Sequence, residues 1–126
     1  MDDVLQVVCL CAEWCGVCRD YAAPFDEAAA GFGAQAEFAR LDIEDEVELL
    51  GNVDVENFPT LLIARGPRAL FFGTVTPHPQ TLTRLVQSAL AGGLKPLADA
   101  PDIDALAQRM RTYFSARTAP RIRQSF

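Results

Sequence analysis

The sequence predicts an α/β domain in which helices cover both faces of a four-stranded mixed sheet. Three observations predict it. Over residues 1–92, apolar strand-like runs alternate with stretches of helical period, in the order strand, helix, strand, helix, strand, strand, helix. The first two strands flank a helix, which makes a parallel βαβ unit. Only the turn at Gly66-Pro67 separates the last two, which makes them an antiparallel hairpin, with the final helix laid over it.

Val4 to Cys11 is apolar on both faces and β-branched, as a central strand covered on both sides should be. From Cys15 to about Gly31 the period becomes helical, with Val17, Tyr21, Phe25 and Ala28 as the inward stripe and Gly31 and Gly33 as the stop. Pro24 lies inside this helix and is expected to kink it. Glu37 to Ile43 alternates like a second strand, and Glu44 to Gly51 reads as a short acidic helix ended by glycine. Strands follow at Pro59–Gly66 and Ala69–Val75. A helix starting near Pro79 puts Leu82, Leu85, Val86 and Leu90 on one face and stops at Gly92-Gly93. Beyond the loop 93–101, Asp102 to Phe114 forms one more amphipathic helix on Ile103, Leu106, Met110 and Phe114. The chain therefore divides into a domain over 1–92 and a C-terminal extension over 93–126, which carries that helix and a basic tail.

Half of the residues are apolar, enough for one core without disulfide staples. No apolar run approaches the roughly 18 to 20 residues that span a bilayer, and Met1-Asp2-Asp3 has the wrong charge for a signal peptide. The expectation is a soluble, cytoplasmic protein. In that reducing setting clustered cysteines point to catalysis or metal binding rather than to structural bridges. Residues 1–104 hold six Lys plus Arg against seventeen Asp plus Glu, an acidic body that argues against nucleic acid as the main partner. Residues 105–126 hold five Arg and no acid. That tail is expected to dock on the protein's own acidic surface, with a partner or membrane-surface contact and plain disorder as alternatives.

All four cysteines fall in "VVCLCAEWCGVCRDY", residues 7–21. Cys15 and Cys18 lie where strand gives way to helix, beside unpaired N–H groups and the positive end of the helix dipole. A thiolate is stabilised in such a place, and the thiolate is the attacking form, so Cys15 reads as the nucleophile. Cys18 is one turn further on, close enough to close a small disulfide ring and to resolve a mixed disulfide at Cys15. Gly16 allows close approach, and Trp14 supplies a flat apolar lid.

At these residues the chain resembles the thioredoxin family. Trp14-Cys15-Gly16-Val17-Cys18 is similar to its active-site signature, Val55-Glu-Asn-Phe-Pro-Thr60 to its proline-threonine segment, and Gly73 to the glycine of its last strand. The resemblance covers residues 4–91. It implies the thioredoxin fold with strand order 2-1-3-4, here with an extra C-terminal helix. It also implies a cis Pro59, catalytic Cys15 and Cys18, and a substrate groove formed by Trp14, Gly16, Val17, Phe58, Pro59 and Thr60. The implied activity is thiol–disulfide exchange with protein substrates, recharged by an upstream reductase, with no cofactor and no metal.

Three departures qualify the resemblance. Val17 stands where thioredoxins carry proline, which shifts the redox balance. Cys9 stands where the family buries an acid that accepts the resolving thiol's proton, so turnover is expected to be sluggish. The chain begins almost at the active-site strand, which leaves the second strand at a sheet edge. The C-terminal helix is expected to cover that edge or to pack on a bare helix face, and a dimer across the edge is the competing expectation.

Cys9 and Cys11, two apart on a strand, face the same way and read as small buried hydrophobes. Two other readings stand beside this one: a four-thiolate zinc or iron–sulfur site, and a second disulfide from Cys9 or Cys11 to the active pair. His78, Glu13 and Asp20 read as solvated, and Arg40 is expected to turn to Asp42 or water. The functional alternative to an oxidoreductase is a thioredoxin-fold module that binds a peptide or partner with little redox turnover.

Overall fold

The computed structural model describes residues 4–115 and the backbone of 122–124. Strand β1 (Leu5–Cys11) is buried along its whole length. It pairs in parallel with β2 (Ala36–Asp42) and antiparallel with β3 (Thr60–Arg65), which pairs antiparallel with β4 (Arg68–Thr74). Strand order 2-1-3-4 follows, as the sequence predicts. Side chains alternate across β1, so Val7, Cys9 and Cys11 face one layer while Val8 and Leu10 face the other.

The first layer is α1 (Gly16–Phe32) and α3 (Pro79–Leu90), which bring Tyr21, Phe25, Leu82 and Val86 against Val7 and Cys9. In the second, α2 (Val47–Leu50) and α4 (Pro101–Ser115) bring Leu50, Leu106, Met110 and Phe114 against Val8, Leu10 and Leu62. Each such large side chain contributes about 1.5–3 kcal/mol of burial.

Three local expectations change. The buried stripe of α1 is Cys18, Tyr21, Phe25 and Ala29, while Val17 is exposed; spacings of three, four and four follow the 3.6-residue turn more closely than a stripe begun at Val17. The helix ends, as the glycine stop predicts, at Gly33, whose φ of 60° suits glycine and whose N–H bonds to the Ala29 carbonyl. The acidic helix shortens to Val47–Leu50, because Asp42 draws residues 44–46 into a turn: its Oδ1 accepts from Glu44 N–H and its carbonyl from the N–H groups of Asp45 and Glu46.

The third change concerns the edge of β2. Helix α4 packs on the open face of the sheet instead, against β4 and β3. The edge is taken by a short strand β5 (Ile122–Gln124), parallel to β2 with Phe38 opposite Ile122. An edge strand's unpaired backbone groups need partners, and this part of the extension supplies them. Arg109, within α4, donates to the backbone carbonyl oxygens of Leu49 (2.6 Å) and Leu50 (2.9 Å) at the end of α2 rather than to an acidic side chain. Arg117 and Arg121 lie outside the described residues.

Candidate functional site

The site forms where β1 runs out into α1. Cys11 ends the strand, residues 12–15 turn, with Cys15 N–H bonded to the Ala12 carbonyl at 3.0 Å, and Cys15 caps α1 with extended backbone. Two contacts pin this loop. Asp42, at the end of β2, accepts from Glu13 N–H at 2.8 Å through Oδ2, and Arg19 donates to the Glu13 carbonyl at 3.0 Å. Sequence reading missed Asp42. Its signal was its position, an acid closing the strand parallel to β1 and therefore beside the loop that leaves it.

The proline segment approaches from β3. Leu10 pairs with Thr60, so extending that antiparallel register by one sets Pro59 beside Cys11. The Phe58–Pro59 bond is cis. Pro59's carbonyl accepts from Val75 N–H at 3.0 Å, and Thr60 Oγ1 donates to the Asn57 carbonyl at 2.6 Å, which ties this turn to both hairpin strands. Phe58 and Cys15 pack on the same apolar cluster. Trp14, 62% exposed, meets Phe58 edge to face at 5.7 Å between ring centroids, so the two rings form one apolar wall beside Cys15. Gly16 is exposed, and a Cβ there would meet no atom within 4 Å, so this glycine leaves open space above the cysteine rather than filling a packing need. Val17 is exposed as well, while Pro59 and Thr60 are buried.

The sulfurs follow an alternative reading, a disulfide from Cys11 to the active pair, rather than the leading one. Cys11 and Cys18 form a disulfide, with Cα atoms 5.8 Å apart, and both are fully buried. Cys15 is a free thiol and is the only one of the four that is not buried. Cys9 is a free buried thiol that donates weakly to Cys11 Sγ at 3.9 Å. Cys11 is thus buried as expected, yet it is bonded and not merely packed. The reason is the register of α1: with Cys18 rather than Val17 turned inward, its sulfur meets the face of β1 that carries Cys9 and Cys11. The bond also removes two thiolates from any four-sulfur metal set.

Beneath the sulfurs lies a buried polar cluster. Arg40 sits beside Cys9 in the β1–β2 register, and its guanidinium reaches Asp26 on α1, a carboxylate absent from the sequence expectation for this arginine. Burial pushes the Cys9 thiol up to about 12, against the opposing pull of the Arg40 charge and with a further push from Asp26. Tyr21 is pushed up too, by burial first and then by Cys9, and its hydroxyl is buried with no hydrogen-bond partner. Cys9 therefore stays a neutral donor and cannot serve as the base that the family's acid provides. His78, Glu13 and Asp20 are exposed, and His78 precedes α3 far along the chain from the cysteines.

The thioredoxin family model matches residues 1–86. The chain belongs to the thioredoxin family. A thioredoxin of Staphylococcus aureus is 30% identical over 59 residues, 47% of this chain and 57% of that protein, so the chain spans little more than half of the curated relative's length. Among solved structures, thioredoxin from Trypanosoma brucei brucei is 27% identical with a TM-score of 0.63, covering 71% of this chain and 78% of that one. The germline-specific thioredoxin Deadhead from Drosophila melanogaster superposes with a TM-score of 0.62 at 24% identity, over 68% of this chain and 81% of that one, and shares the fold. Among the described residues no helix of this thioredoxin-family chain is long and apolar enough to cross a membrane.

Proposed function

We propose that the chain is a thiol–disulfide oxidoreductase acting on protein disulfides, with Cys15 as nucleophile and Cys18 as resolving thiol. One observation carries this reading: the one cysteine of the four that is partly exposed caps α1, one helical turn before Cys18 and beside the Trp14–Phe58 wall. Cys15 thiolate attacks a substrate disulfide, and one substrate sulfur leaves as thiolate and takes a proton. Cys18 thiolate then attacks Cys15 Sγ, and the second substrate sulfur leaves reduced. Two electrons pass to the substrate and the Cys15–Cys18 disulfide remains. An extended peptide would lie on Trp14, Gly16 and Val17, with Phe58, Pro59 and Thr60 as the opposite rim. Reduction in a reducing compartment such as the cytoplasm, with an upstream reductase as electron source, is the direction this chemistry favours.

The test is reduction of a protein disulfide with dithiothreitol as donor. Wild type should turn over and Cys15→Ser should not; equal rates for the two would overturn the assignment. A second reading, a peptide-binding module with little turnover, is favoured by the Cys11–Cys18 bond, which occupies the resolving sulfur. It would be supported by peptide affinity that survives Cys15→Ser in a protein without reductase activity.

A further inference from the structure

Cys18 is bonded to a sulfur the proposed reaction does not use. Its partner Cys11 lies at the end of β1, and neither sulfur is exposed to solvent. Cys15 lies on the other side of Cys18 along the first turn of α1, packed on the same cluster and open to solvent. Cys18 thus has a buried neighbour and an outer neighbour, and its sulfur can bond only one at a time. A dissolved thiol cannot reach the buried bond in line, whereas Cys15 caps the first turn of the helix that carries Cys18.

We propose that Cys11 is a third redox cysteine, and that Cys18 exchanges its disulfide between Cys15 at the surface and Cys11 in the interior. This rests on the reading of Cys15 and Cys18 as the reacting pair. After a substrate is reduced, Cys11 attacks Cys18 Sγ of the Cys15–Cys18 bond; the Cys11–Cys18 bond forms and Cys15 leaves as thiolate. The proton lost by Cys11 passes to Cys15 or solvent, and no electrons are gained or lost overall. In reverse, Cys15 thiolate attacks Cys18 Sγ and expels Cys11. Cys9 fits this step: its thiol already points at Cys11 Sγ at 3.9 Å and remains protonated to about pH 12, so it can donate to the sulfur that departs. The outer bond would leave a polar Cys11 thiol buried, whereas the inner bond leaves the free sulfur at the partly exposed Cys15, so the equilibrium lies toward the inner bond. The inner bond is then the resting oxidised form, a store that frees Cys15 while holding Cys18 out of reaction.

The sequence offers a clean readout, because Glu13 lies between the two pairs. The reduced full-length protein is treated with one equivalent of a two-electron thiol oxidant and quenched in acid at successive times. Free thiols are then blocked with a maleimide, and the chain is cleaved after Glu13. A Cys15–Cys18 bond stays within the fragment that begins at Trp14. A Cys11–Cys18 bond joins that fragment to the one carrying Cys9 and Cys11. Wild type should show the internal bond first and the joined fragments later. Cys15→Ser and Cys9→Ser should both give joined fragments, and Cys11→Ser and Cys11→Ala only the internal bond. Once formed, the joined species should be reduced by dithiothreitol at least about tenfold more slowly in Cys15→Ser than in wild type.

Joined fragments that persist in both Cys11 variants would assign the bridge to Cys9 and overturn the proposal. Their absence from wild type, or equally fast opening with and without Cys15, would overturn it as well. The reductase assay separates the two claims. Turnover that needs Cys15 without joined fragments keeps the oxidoreductase and removes the inner store. The timed exchange without turnover removes the oxidoreductase and keeps the exchange among three sulfurs.

Discussion

Arg40 and Asp26 form a two-pronged ion pair between β2 and α1, with Nε to Oδ1 and Nη2 to Oδ2 both at 2.9 Å. The arginine side chain is 6% exposed and the aspartate 29%, so the pair plugs the flank of the buried polar cluster and its carboxylate end is wetted. Removing one partner of an enclosed pair is costly, because it leaves a buried charge poorly matched. Asp26→Asn is expected to lower unfolding stability by roughly 2 kcal/mol, below the about 3–5 kcal/mol of a fully enclosed pair, since water reaches the carboxylate. It should also lower the Cys9 thiol value, because the Asp26 charge helps to hold it up. Urea unfolding, together with thiolate absorbance against pH in a Cys15→Ser background that leaves Cys9 as the free thiol, measures both. Unchanged stability would show that the pair is balanced by its desolvation.

Alkaline stability should fall through Cys9 and Tyr21. Both bind their proton more tightly folded than unfolded. The Cys9 contribution is therefore complete below the unfolded thiol's value of about 8.5 and is lost as pH rises toward about 12. The tyrosine contribution begins to drain only above about pH 10. For reduced protein, Cys9 should cost about 2 kcal/mol between pH 7 and 10, and Cys9→Ala should flatten that slope. Tyr21→Phe should leave the slope below pH 10 intact and be neutral or stabilising at pH 7, because the hydroxyl it removes is buried without a partner. Denaturant midpoints across this pH range check both variants.

Gly51 closes α2 with φ 58°, and a Cβ there would stand 2.7 Å from Arg109 Nη2. Gly51→Ala meets two penalties, a left-handed backbone of about 1–2 kcal/mol and displacement of the guanidinium that caps the Leu49 and Leu50 carbonyls. Arg109→Ala removes the second penalty along with the cap. The double variant should therefore be more stable than the sum of the single losses implies, by about 0.5–1 kcal/mol. Strict additivity in thermal or urea unfolding would place the whole cost of Gly51→Ala in its backbone.

How far the sequence speaks for the fold depends on what each feature repeats. The continuous β-branched apolar run "VLQVVCLC" and the hairpin turn at Gly66-Pro67 are local, and they led to the right strands in the right order. The stripe of α1 did not emerge as cleanly, since Val17 and Cys18 are both apolar and only packing against β1 decides which turns in. That one-residue ambiguity left the Cys11–Cys18 bond as one alternative among the readings of the four cysteines. The partnership of Arg40 with Asp26 spans fourteen residues and two elements, so no period announces it. Strand β5 carries too few residues to show an alternation, and its place follows from the open edge of β2 rather than from its own composition.

Cys9 bears on rate as well as on stability. It stands opposite Arg40 in the β1–β2 register, below the sulfurs, and it cannot take a proton from Cys18 while its own is held to about pH 12. A carboxylate there would have Arg40 as a neighbour and could act as the missing acceptor. Cys9→Asp is therefore expected to speed resolution of a mixed disulfide at Cys15 by about a hundredfold, the low end of what a positioned base supplies. It should also lower stability, because a second buried carboxylate competes with Asp26 for one guanidinium. Cys9→Asn is isosteric and lacks the base, so it should share the structural cost without the gain. Stopped-flow release of the second substrate thiol reads the step directly, and equal rates in Cys9→Asp and Cys9→Asn would show that Cys18 loses its proton to water.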